Sequence, residues 1–459
     1  MRKTRMTATI KAKKSNDLAF PQGIKRYGLK GILNLIFRPL PTLESNRNRY
    51  GDIYYSPAFS SFPPFIVVGN PEGIEALFTA DPDLFNSGTS NAAFQPLLGS
   101  QSILQLDGEP HKKRRKLLMP SFHGQRLQTY GEIITNITQA ILNGWQKKDI
   151  FSMREVTQEI TLSVILQAVF GITQGDNYQS LRQQLSCYLD LFNSPLYTST
   201  LFLPILQKNW GTWTPWGNFI DQRDKVYELL SQEIDKRATT KDGEDILSLL
   251  LSVTDEQGEH LTKGEVMSEL MTLLFAGHET TASALAWAFY WIHFHPEIYH
   301  NLQDELDTIN VDTDPMEIAK LPYLNAVVSE TLRIYPIALF AFSRTLKTSW
   351  EFMGYSLETG MSLAPCIYLV HHHPDIYPNS KQFQPERFLD SQFSPYEFIP
   401  FGGSNRRCLG YALALYEMKL VLATVLKQVN LKLVDSQPIL PVRRGFTMSP
   451  QGGVKMQVI

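Results

Sequence analysis

Pro400-Phe401-Gly402-Gly403-Ser404-Asn405-Arg406-Arg407-Cys408-Leu409-Gly410 is the stretch on which the reading of this chain turns. It sets a single cysteine after a Gly-rich loop and directly before a helical pattern that starts at Tyr411. A thiol at the positive end of a helix, beside Arg406 and Arg407, is expected to be a thiolate, since both features favour the anion. The flanking glycines let the backbone approach a flat cofactor and aim N–H groups at the sulfur. Such a thiolate is a credible axial ligand for haem iron. Taken alone, a lone cysteine could equally be a buried structural thiol.

The chain has 459 residues, 43% of them hydrophobic and 19% charged, which suits a large globular core. A net charge of −2 implies no polyelectrolyte partner, so nucleic acid is not expected. Three widely spaced cysteines, Cys187, Cys366 and Cys408, form neither a disulfide framework nor a zinc pattern and suit a reducing cytoplasm. Met1 to Lys14 carries six basic residues and no acidic one, without the apolar core of a signal or anchor. Residues 1–25 are therefore expected to be a basic, disordered tail, and residues 26–459 a single soluble domain with no transmembrane anchor.

Gly51-Asp-Ile-Tyr-Tyr and Pro64-Phe-Ile-Val-Val-Gly read as strands, and Asn70-Pro71 as a helix start. From about residue 125 to 335 the apolar spacing is mostly helical. The clearest helix is expected over about Thr262 to His293, free of proline and apolar nearly all round in its middle. The expected class is mainly α with a minor β portion. That helix carries Phe275-Ala276-Gly277-His278-Glu279-Thr280-Thr281. Polar groups in a buried helix need a reason. Ala276 and Gly277 remove bulk, which would let a plane lie close to the backbone. The Thr280 hydroxyl can bond the Ala276 carbonyl and open a notch. Glu279, about 100° around the helix, could reach solvent and relay protons. A bent core helix with a satisfied glutamate is the plainer alternative.

Together these stretches resemble the cytochromes P-450: the cysteine loop matches F-x-x-G-x-R-x-C-x-G, and the central helix is similar to A-G-x-D/E-T-T. Ser404 stands where the family usually has glycine, at a turn that often needs positive φ. The resemblance covers the chain from about residue 30 onward and implies the P-450 fold, with a long central helix over haem b and Cys408 as its ligand. It implies cofactor contacts from Phe401, Arg406, His111, Arg115, Arg344, Ala276 and Gly277, and proton delivery by Glu279 and Thr280. It also implies a Glu330–Arg333–Arg387 network that fixes the cysteine loop. Lys112, Lys113, Arg114 and Lys116 read as a solvated face, able with Arg407 to dock an acidic electron donor.

The reaction implied is hydroxylation of an apolar substrate, such as a long-chain fatty acid, terpene or steroid, by a monomeric monooxygenase. It uses O2 and two electrons from a ferredoxin with its reductase, since no dinucleotide or flavin fingerprint is evident. A haem-thiolate peroxygenase or isomerase and a haem-based sensor are the alternatives; the intact Glu279-Thr280 pair speaks against both. The expected pocket lining is Phe94, Leu97, Leu98, Phe275, Ile337, Leu339, Phe340 and Phe342, with Leu191 and Phe192 as a lid.

Overall fold

The computed structural model describes residues 19–58, 63–171, 176–240, 245–254, 258–310 and 312–459. It is 57% helical with 11% strand, the balance expected from the apolar spacing. The central helix runs Lys263–Phe294. A reciprocal cap starts it: the Thr262 hydroxyl accepts from the Glu265 amide, and the Glu265 carboxylate accepts from the Thr262 amide at 2.9 Å. It ends just before Pro296, which begins the next helix. At 1.5 Å per residue it spans about 48 Å. Almost every side chain from Val266 to Ile292 is buried, which requires neighbours on all sides. Those neighbours include the helices Met153–Phe170, Pro322–Ile334 and Tyr411–Gln428, and the strand Thr447–Pro450.

To one side lies a five-stranded sheet, ordered Ile53–Ser56, Phe65–Val68, Ser362–Pro365, Arg344–Leu346, Phe85–Asn86. Only the pairing of Phe65–Val68 with Ser362–Pro365 is parallel. The first two strands are the Gly/Pro-bounded runs legible in the sequence, and the helix Pro71–Thr79 follows from Asn70 as expected. Arg344, at the start of its strand, reaches from the sheet to the Gly403 carbonyl of the cysteine loop.

The expected tail is too long by several residues. Residues 1–18 lie outside the described residues, but residues 19–24 are bound to the fold. The Ile24 amide donates to the Tyr55 carbonyl, and the Tyr55 amide to that of Gln22, both at 2.9 Å. Phe20 stands edge-on to Tyr55 with ring centroids 5.4 Å apart. The physical reason is that Ile53–Ser56 is an edge strand, whose free backbone groups recruit the neighbouring chain. Among the described residues, no helix is long and apolar enough to cross a membrane.

Candidate functional site

The cysteine loop is held in shape by its own backbone. Gly402 donates to the Ile399 carbonyl and Cys408 to that of Phe401, each at 3.0 Å. Gly402 has φ +65°, and Ser404 has φ +58°, the positive value that favours glycine there. Gly403 is needed for space: a Cβ would lie 2.3 Å from the ring of Phe78. Cys408 is exposed, just ahead of the helix Tyr411–Gln428. The Arg407 guanidinium lies 3.9 Å over the Tyr411 ring. In the chain alone, the Cys408 thiol is pushed up from its ordinary value. Crowding by protein atoms is the larger influence, and the Gly410 amide, Arg115 and Arg407 only partly oppose it.

Around this loop lies a concentration of positive charge. Arg344 is almost wholly buried and donates to the carbonyls of Leu77 at 2.7 Å and Gly403 at 3.3 Å. Arg406 donates to the Leu106 carbonyl at 2.5 Å and to the Asp107 carboxylate at 2.8 Å. In both arginines the Nε is buried without a partner. Burial, with Arg406 nearby, pushes Arg344 down to about 10. His111 is buried, and burial together with Arg406 and Arg115 pushes it down to about 4. It is thus neutral at physiological pH. Arg115 is half-buried and lies within electrostatic reach of Cys408. Phe401 is half-buried, with its ring 6.1 Å from that of Tyr411.

Between Val266 and Ile292 of the central helix, only Ala276 and Thr280 are exposed. They are four residues apart and so share a face. The Thr280 hydroxyl donates to the Ala276 carbonyl at 2.8 Å, as the spacing predicts. Gly277 does not share that face. A Cβ there would lie 2.9 Å from Ile165, so its missing side chain lets the helix Met153–Phe170 approach. Glu279 is not free in solvent either. Arg154 donates to both its carboxylate oxygens at 2.6 Å, and the Thr447 hydroxyl stands at 3.5 Å. Arg154 in turn bonds Gln158, and Gln158 bonds exposed Asp190. A polar string therefore runs from Glu279 to the surface. His278 is wholly buried and pushed down to about 3 by burial.

The Glu330–Arg333–Arg387 grouping is present. Arg333 donates to the two Glu330 oxygens at 2.6 and 2.8 Å, Arg387 Nε donates at 3.1 Å, and the Gln384 amide at 2.9 Å. Glu330 and Arg333 are both wholly buried. Arg114, expected on a solvated face, is buried instead and bonds Glu269 and Glu265 at 2.6 Å each. Its helix, Gly108–Leu118, turns this residue towards the central helix. Lys112, Lys113 and Lys116 are exposed as expected, with Lys112 paired to Glu109 at 2.7 Å.

Of the expected pocket residues, Phe94, Phe275 and Phe342 come together with Phe192 in a ring cluster. Its centre is Phe446, 4.8 Å from Phe94 and 5.6 Å from Phe275. Phe446 was missed, because nothing in its local sequence points back to the central helix. Leu191 and Ile337 are half-buried. Leu97 and Leu98 have no surface open to a water-sized space, so they are core rather than lining. Leu339 and Phe340 pack into a separate small core with Tyr54 and Cys366.

A long helix with one accessible notch and a cysteine loop ringed by arginines define the haem-thiolate class of protein. Residues 30–456 match the family model described as cytochrome P450, and the chain belongs to that family. It is 32% identical over 447 residues to the Mycobacterium tuberculosis protein named "Putative cytochrome P450 135B1", covering 97% of this chain and 92% of that one. It is 31% identical to "Putative cytochrome P450 138" of the same organism, covering 91% and 93%. The solved structure of "Retinoic acid bound cyanobacterial CYP120A1" shares the fold, with a TM-score of 0.84 and 24% identity over 97% of this chain and 100% of that one. Family membership makes this a haem-thiolate monooxygenase in general terms.

Proposed function

We propose that Cys408 is the axial haem ligand of a cytoplasmic, monomeric monooxygenase that hydroxylates an elongated apolar molecule of the fatty-acid, terpene or steroid type. The observation that carries this reading is the exposure of Ala276 and Thr280, alone along the buried stretch of the central helix. The residues present fit haem. Buried, unpartnered Nε atoms on Arg344 and Arg406 call for an anion, and in this reading they and Arg115 hold the propionates. His111 contributes a neutral donor there. Bound at this site, haem would supply the activation of O2 and the transfer of one oxygen atom to a C–H bond.

The chain's own groups would do the rest. Ala276 leaves room beside the helix backbone, and Thr280 Oγ1 presents a hydroxyl on the same accessible face. Glu279, 19% exposed, would exchange protons directly with solvent, while Arg154, itself held by Gln158, fixes its carboxylate in place. The Phe94–Phe275–Phe446 cluster binds by apolar burial, at about 25 cal/mol per Å² before ordering costs. Exposed Lys112, Lys113, Lys116 and Arg407 suit an acidic donor of the ferredoxin type, whose reductase would be a separate protein.

The carbon-monoxide complex of the reduced protein tests the ligand. Wild type, Cys187→Ala and Cys366→Ala should give the red-shifted Soret band of thiolate ligation, and Cys408→Ala should not. Retention of the band in Cys408→Ala would end the assignment.

A further inference from the structure

Three consecutive histidines, His371, His372 and His373, close the short helix Ile367–His371, and the structure gives each a different task. His372 Nε2 lies 3.0 Å from the Ile334 carbonyl and so donates to it, fastening the end of the Pro322–Ile334 helix. His373 Nε2 is 3.6 Å from the Asp52 carboxylate. His371 alone faces the cysteine loop. Its carbonyl accepts from Arg333 Nη1 at 2.9 Å, while its ring Nε2 accepts from the Ile399 amide, also at 2.9 Å. The imidazole is wholly buried and stacks on Phe398, with ring centroids 5.3 Å apart. From Ile399 the line continues: its carbonyl takes the Gly402 amide, and the Phe401 carbonyl takes that of Cys408.

We propose that His371 is a positioning residue for the Cys408 loop, carrying the rigidity of the buried Glu330–Arg333 pair to the Ile399 amide. This rests on the reading of Cys408 as the haem ligand. The bond needs an unprotonated Nε2, so the ring proton sits on Nδ1, which faces the backbone of Leu332 and Arg333. Burial and the Arg333 charge push the imidazole down to about 3, so Nε2 remains an acceptor at any pH where the protein works. Without that acceptor the Ile399 amide would be buried and unpaired, in the same residue whose carbonyl starts the turn into the ligand loop. A loose loop is free to let the sulfur drift from its place, which is a change of ligation rather than of folding.

The test compares His371→Leu, which removes the acceptor, with His371→Gln, whose side-chain oxygen can reach the same amide. Three readouts are taken: the Soret position of the carbon-monoxide complex, the haem reduction potential, and the melting of the haem-free chain. The expected result is loss of most of the red-shifted band and a raised potential in His371→Leu. His371→Gln should keep the band, with both variants melting together. A wild-type band and potential in His371→Leu, or equal loss in His371→Gln, would overturn the proposal. Should His371→Leu not fold, amide exchange at Ile399 in the unmodified protein decides: protection supports the bond, and exchange at the rate of an open loop refutes it. If wild type itself shows no thiolate band, the Cys408 reading fails first and this inference falls with it.

Discussion

Glu330 and Glu279 both sit on helices, and both are paired with arginine, yet they are built for different work. Glu330 is wholly buried and takes four donors: two nitrogens of Arg333, one of Arg387 and the Gln384 amide. Glu279 is 19% exposed and is held by one nitrogen of Arg154, with the Thr447 hydroxyl at the edge of reach. Glu269 stands between them. It is wholly buried, with donors from Arg114 and the Ile103 backbone only. Donor count and solvent access, rather than the mere presence of an arginine, separate a fixed strut from a carboxylate that can change its charge or its partner.

The largest effect should come from breaking the strut. Glu330→Gln strands the buried Arg333 charge and should cost about 3–5 kcal/mol. Denaturant unfolding of the haem-free chain measures it, and a cost near that of a surface change would erase the distinction. Next comes Glu269, which burial pushes up from 4.5 to about 7 despite Arg114. The folded state then holds a proton that the unfolded state has already released between those two pH values. Its contribution to stability is fully present below about 4.5 and is lost as pH rises towards 7, by about 3 kcal/mol at most. Glu269→Gln should flatten that part of the stability–pH curve, and an unchanged slope would place the proton elsewhere.

Smaller still is the stability change at the distal helix. Glu279→Gln should cost about 1–3 kcal/mol, the worth of hydrogen bonds to a charged group, while slowing turnover more than it changes substrate binding. Equal slowing of binding and turnover would make Glu279 structural. Thr280→Ala removes an exposed hydroxyl and should move stability by under about 0.5 kcal/mol. Its effect should fall on coupling, with electrons diverted to peroxide. Wild-type coupling would remove Thr280 from proton delivery and leave the helix notch without a chemical role.

Much of this contrast could be read before the fold was known, but only in part. Glu330 and Arg333 are three apart on one helix, and the Thr280–Ala276 bond spans four residues, so local spacing reveals both. Arg154, Arg114 and His371 are different. Their partners Glu279, Glu269 and Ile399 lie far along the chain, and a basic run or a string of histidines looks the same whether it faces water or core. The apolar pocket failed in a similar way. Leucine at 97, 98 and 339 satisfies a core as well as a substrate, and sequence carries no sign of which side of a wall a side chain faces.

The three residues before Asn405 also define a map of mutational tolerance. At 402 the limits are backbone angle and the Ala341 methyl, 3.3 Å from where a Cβ would lie, so asparagine or aspartate, which visit positive φ more readily than other residues, are the least costly replacements. At 403 the limit is the Phe78 ring, and every side chain meets it. Position 404 is exposed and restricted by angle alone, which explains how serine is accommodated there. A saturation library across the loop should therefore return three distinct spectra from adjacent codons: narrow at 402, glycine only at 403, and broadest at 404, with Ser404→Gly among the improved clones.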